Sequence, residues 1–146
     1  MIRNEKLLAG TAFLMYVCFL FYLVFFSSYR HNVQGIFAYN VVPFESISAY
    51  VHHYDGFRIT RLTDNFFGNI AAFIPFGILI PCMIKSVKLL QVTLYSILFS
   101  LFIEVTQIFL RVGAFDVDDI LLNTVGGIFG YVLLRSLVSI YNLKDK

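Results

Sequence analysis

Four long apolar runs, at 7–26, 66–84, 89–110 and 120–141, are separated by short polar breaks and one long mixed segment. Each is close to the roughly 20 residues a helix needs to cross about 30 Å of hydrocarbon, and all are too long and continuous for barrel strands. The pattern predicts an all-α integral membrane protein, a four-helix transmembrane bundle forming a single domain over 1–146.

The first run follows basic residues, as a secretory signal does, but it exceeds the length of a signal core and ends in Phe25-Phe26-Ser27-Ser28 rather than in a small-residue cleavage site. It reads as an uncleaved membrane helix. The mixed segment from Ser27 to Asp64 scatters arginines, histidines and tyrosines, which suits a wet or interfacial loop. Within it Pro43 breaks the backbone, and residues 46–54 have the makings of a short helix lying along the bilayer surface. The second run carries Asn69, Pro75, Gly77 and Pro81, and helix-interior proline predicts a bent or broken axis. Lys85 and Lys88 bracket a tight turn into the third run.

Composition agrees with the pattern. With 59% hydrophobic residues and only 14% charged ones, the chain is too apolar to wet the surface of a soluble domain of 146 residues. A net charge of +2 without a dense basic block excludes nucleic acid as a partner. Cys18 and Cys82 lie inside apolar runs without metal or redox spacing, and the adjacent His52 and His53 point about 100° apart on a helix. Neither pair predicts a metal site, and no cofactor motif appears.

The distribution of positive charge supplies an orientation. With the N-terminus in the cytoplasm, Arg3, Lys6, Lys85, Lys88, Arg135, Lys144 and Lys146 fall inside and Arg30, Arg58, Arg61 and Arg111 outside, seven against four. The expected topology is a multi-pass cell-membrane protein with both termini cytoplasmic and a long first loop on the extracytoplasmic face. Arg30, Arg58 and Arg61 would then be solvated or would meet anionic headgroups.

Charge is concentrated in one stretch, 104–130. Glu104, Gln107 and Arg111 are spaced i, i+3 and i+7, which places them on one stripe of the third helix. An ionised group at membrane depth costs about 2.5 to 3.5 kcal/mol, so such a stripe faces a partner or a cavity. Asp119 and Asn123 stand one turn apart on the fourth helix, and Gly126, Gly127 and Gly130 continue it as packing residues, with Gly126 and Gly130 in the G-x-x-x-G spacing. Asn69 occupies the matching end of the second helix. The expected pocket holds Asn69, Glu104, Gln107, Asp119 and Asn123, with Arg111 entering from the rim. Asp116, Asp118 and Asp119 also sit at a helix start, where carboxylates favour the positive end of the dipole, and Asp118 reads as structural or solvated.

The elements DNFFGNIAAFIPFGILIP, IEVTQIFLR and FDVDDILLNTVGGIFG, preceded by NVVPF, resemble the VanZ-like family of bacterial membrane proteins over about 40–130. The resemblance implies an envelope function linked to resistance to the glycopeptide antibiotic teicoplanin. Carried residue by residue, it implies a role for Asn40, Pro43 and Phe44 in the loop, for Asn69, Pro75 and Gly77, for Glu104, Gln107 and Arg111, and for Asp116, Asp119, Asn123 and Gly127. Three functions stay open. One is binding or shielding of a lipid-linked cell-wall precursor or a glycopeptide. Another is a membrane-embedded hydrolase or transferase in which Glu104 or Asp119 is the base and Arg111 steadies developing charge. The last is a small lipid transporter, for which four spans require a homo-oligomer.

Overall fold

The computed structural model describes residues 2–26, 39–52 and 61–144, and the side chains of 2–5, 61–65 and 144 lie outside that description. Arg30, His53, Tyr54 and Arg58 lie outside the described residues, as do the side chains of Arg61, Asp64 and Asn65. Helix α1 spans Ile2–Phe21 and ends in one wider π turn, Tyr22–Phe26. Then come β1 (Tyr39–Asn40), α2 (Glu45–His52), α3 (Arg61–Met83), α4 (Leu89–Leu110), β2 (Phe115–Asp116) and α5 (Val117–Lys144).

Four of these helices, α1, α3, α4 and α5, are long and apolar enough to cross a membrane. The only described sheet is a parallel pair two residues long, Tyr39 opposite Phe115 and Asn40 opposite Asp116. The chain is an all-α, multi-pass membrane protein. Many of its large apolar side chains point outward, Phe109 at 81% exposure and Leu90 at 78% among them. Hydrocarbon accommodates them without loss, because lipid tails are as apolar as the side chains themselves.

Lipid supplies no hydrophobic drive between helices, so close backbone approach has to hold the bundle together. The α3–α5 seam does this with glycine. A Cβ on Gly126 would collide with the Ile70 carbonyl, one on Gly130 with the Ile74 carbonyl, and one on Gly77 with the backbone of Gly127. Below the seam a small apolar core gathers Phe73, Phe76 and Ile80 of α3 with Val87, Val92 and Leu20. Helix α1 adds a specific bond to this face, the Tyr16 hydroxyl donating to the Ala72 carbonyl at 2.9 Å.

Helix α3 is continuous through both Pro75 and Pro81, so of the bent or broken segment that the sequence pointed to, the break does not occur. Each proline removes a single backbone hydrogen bond, and the flanking residues 70, 74 and 77 are clamped against α5. The short surface helix begins at Glu45, one residue ahead of its expected start, and α5 begins at Val117 rather than at 120.

At the end carrying the α3–α4 turn, the Val87 carbonyl accepts from Arg135 Nη2 at 3.1 Å and from the Tyr131 hydroxyl at 3.4 Å. The first turn of α4 is closed there by the Gln91 side chain, which accepts from the Lys88 backbone N–H at 2.9 Å. The opposite end, where α4 finishes and α5 starts, gathers the polar residues.

Candidate polar site at one end of the bundle

The polar end begins with a helix that cannot cap itself. Helix α2 follows Val41-Val42-Pro43-Phe44, a stretch without a side-chain acceptor for its first N–H groups. Asp118 supplies that acceptor from 74 residues further on. Its Oδ1 accepts from the Phe44 N–H at 2.6 Å, and its Oδ2 accepts from the Ser46 and Ile47 N–H groups at 2.8 and 3.2 Å. Asp118 is fully buried, so the solvated option for it is corrected: it is a structural carboxylate serving another helix. Phe44 takes a left-handed φ of 70° to bring these donors together.

Asp116 does the equivalent work for α5. Its Oδ1 accepts from the Asp118 N–H at 2.9 Å, two residues on, as an N-cap side chain does. The same oxygen accepts from Asn40 Nδ2 at 3.1 Å, and Oδ2 accepts from the Ser46 hydroxyl at 2.5 Å. Its own N–H donates to Glu104 Oε2 at 3.0 Å. The Asp116 carboxylate therefore joins the first loop, α2 and α5, and its backbone N–H adds α4.

Two neighbouring spaces that share Asp119 as a wall lie beneath this cap. The outer one is a partly open cleft of about 60 Å³ between α2, α3 and α5, where Ser46, Asp116 and Asp119 face the aromatic rings of Tyr50 and Phe66. Those two rings stack at 4.5 Å and fasten α2 to α3. The inner one is a cavity of about 20 Å³, lined on its polar side by Asn69, Glu104, Gln107, Asp119 and Asn123. Asp119 lines both spaces and is held by Asn69, whose Nδ2 donates to its Oδ1 at 2.5 Å.

Five of the residues singled out in the sequence thus share one cavity, while Asn40 and Asp116 belong to the cap above it. Arg111 is placed differently. Helix α4 ends at Leu110, and Arg111 turns into the left-handed region (φ 56°) with its N–H returned to the Gln107 and Ile108 carbonyls. That turn takes it off the stripe defined by Glu104 and Gln107, and it does not line the cavity. Gly77, Gly126 and Gly130 lie along the α3–α5 seam rather than on the cavity.

Sequence reasoning overlooked Ser46, Ser96 and Ser100. Ser100 accepts from Asn123 Nδ2 at 2.8 Å, and both Ser96 and Ser100 are fully buried. The signal was present, since Ser96, Ser100 and Glu104 recur every four residues and Gln107 follows at three, a single face of α4. This polar column stops one turn further along, at the fully buried Val92 of the apolar core.

Two carboxylates, Glu104 and Asp119, line the inner cavity beside neutral amides, and no lining residue is basic. Such walls suit hydroxyl, amide or cationic groups and disfavour anions. Among the described residues no three acidic, histidine or cysteine side chains are arranged to hold a metal ion.

No solved structure matches the chain. Protein VanZ of Enterococcus faecium is 27% identical over 146 aligned residues, covering 97% of this chain and 78% of that protein. The VanZ/LLP1 family matches over residues 13–139, nearly the whole bundle including α2 and the polar cap. The chain belongs to the VanZ/LLP1 family.

Proposed function

We propose that the polar end of the bundle faces the outside of the cytoplasmic membrane and binds a lipid-linked cell-wall precursor, lowering the action of glycopeptides such as teicoplanin. The observation that carries this reading is the outer cleft, where Asp116, Asp119 and Ser46 converge beside two stacked rings. Support for the direction comes from the seven-to-four bias of basic residues toward the other end. Support for the process comes from membership in the VanZ/LLP1 family.

The acidic walls narrow the part of the precursor that is recognised. Two carboxylates repel a pyrophosphate and attract sugar hydroxyls, peptide amides or an ammonium group. The cleft therefore receives the sugar or peptide portion, and the lipid tail runs along the apolar outer surface. Holding that portion against the membrane alters its access to a glycopeptide without any bond being broken.

A second reading keeps the same cleft and adds chemistry on a lipid-linked substrate, with Asp119 or Glu104 as general base. The sharing of one small cavity by these two carboxylates favours it, because two groups able to accept or return a proton then face one space. Arg111, the intended electrostatic partner, lies off the cavity, and this leaves the hydrolase or transferase reading second. The transporter reading has less support, since the polar column ends against Val92 and Phe76 rather than continuing toward the far side.

The test is resistance to teicoplanin and vancomycin in a susceptible Gram-positive host expressing wild type, Glu104→Gln or Asp119→Asn, with membrane abundance measured in parallel. The reading expects protection by wild type and its loss in equally abundant variants. Protection that survives both substitutions would remove the polar site from the mechanism. Accumulation of a cleaved or transferred product only with wild type would move the enzyme reading to first place.

A further inference from the structure

The inner cavity has the size and chemistry of an ion site rather than of a substrate pocket. Its volume, about 20 Å³, is that of a single water molecule, too small for any sugar or peptide group. One atom in it is without a partner. Asn123 is 5% exposed and donates through Nδ2 to the Ser100 hydroxyl, while its carbonyl oxygen Oδ1 is buried and receives no hydrogen bond. A buried acceptor left in that state is expensive, so the fold retains it where something else supplies positive charge.

We propose that the inner cavity binds a small monovalent cation of sodium size, coordinated by Asn123 Oδ1 together with side-chain oxygens drawn from Glu104, Asp119, Gln107 and Asn69. Every polar residue lining the cavity carries a side-chain oxygen, two of the five are carboxylates and none is basic, which is the hard, electronegative wall such an ion requires. Space selects against magnesium, which keeps several of its own waters, more than a one-water cavity holds. The acidic content is also two carboxylates rather than a cluster of three.

An entry route is built in. Asp119 lines both the inner cavity and the outer cleft, so an ion reaching the cleft meets at Asp119 the same carboxylate that faces the inner site. In the opposite direction the cavity is closed by Phe73 and Ile103, both buried. The ion is thus a resident that cements α3, α4 and α5 at their polar end, and its binding can be measured on the protein alone, with no wall precursor present.

The experiment uses the full chain in lipid nanodiscs. Binding of radioactive ²²Na⁺ is measured by scintillation proximity, and thermal unfolding is followed in sodium chloride against choline chloride at equal ionic strength. Saturable ²²Na⁺ binding is expected, with a Tm that rises with sodium and not with choline. Asn123→Ala should weaken binding by about tenfold or more, Asn123→Asp, which retains an oxygen, should preserve it, and Lys88→Gln at the far end should leave it unchanged. Absence of saturable binding by wild type overturns the proposal, whatever the variants do, and leaves the cavity to water or a proton. Binding by wild type that Asn123→Ala retains in full overturns it equally.

Discussion

Helix α5 presents two faces that solve the problem of association in lipid by opposite means. Toward α3 it offers Gly126 and Gly130, whose missing side chains let the Ile70 and Ile74 carbonyls come down on its backbone. Toward α4 it offers Asp119, Asn123 and Gly127, set against Gln107, Glu104, Ser100 and Ser96. Along Gly126 and Gly130 the first face is filled by backbone set directly against backbone. The second encloses the inner cavity and two buried oxygen atoms without partners, Ser96 Oγ and Asn123 Oδ1. Contact through backbone gives rigidity with nothing left over. Contact through polar side chains costs more to assemble and leaves room and charge for a ligand.

The filled face should be the least forgiving. Gly130→Leu places a branched side chain where the Ile74 carbonyl and the Gly77 Cα already stand, and a backbone cannot rotate away. The expected cost exceeds about 3 kcal/mol, and fluorescence-detected size exclusion should find no folded protein in the membrane fraction. Gly127→Ala separates the two faces. Its Cβ meets chiefly the Ser96 hydroxyl, a side chain that can turn aside, so Gly127→Ala should accumulate where Gly130→Leu does not. Equal loss of both would show that α5 has one kind of face rather than two.

Next in size is the cap above the polar face. Asp118→Ala strands three backbone N–H groups at the start of α2, for a loss of about 3 kcal/mol local to that helix. Hydrogen exchange should rise sharply over residues 44–52 while α3, α4 and the glycine seam keep their protection. Exchange that rises throughout the bundle would mean that the cap holds the spans together as well.

Most of the spans were legible in the chain because lipid imposes a single requirement, about 20 apolar residues in a row, which no other structure in this sequence imitates. The grouping of Asn69, Glu104, Gln107, Asp119 and Asn123 was also legible, since each interrupts an apolar run at the same end of an antiparallel bundle. What escaped was contact between distant segments. Nothing local to Val41-Val42-Pro43-Phe44 says that its N–H groups will be received by Asp118, and nothing near Asp116 announces a parallel pairing with Asn40. Arg111 misled for a local reason, because spacing assumes a continuing helix and this one turns left-handed at that residue.

The smallest effect tests the polar face by itself. Asn123 and Ser100 share one hydrogen bond of 2.8 Å between α4 and α5, and such bonds in membranes couple by about 0.6 kcal/mol, because the separated helices also find partners. A double-mutant cycle with Asn123→Ala and Ser100→Ala, read by reversible unfolding in mixed detergent, should return a coupling of that order. The bond would then be one of several weak polar contacts, and α5 would be held in place chiefly by its glycine face. A coupling several times larger would reverse that ranking, because Ser100 would then be fixing the orientation of Asn123, and with it the direction of its buried Oδ1.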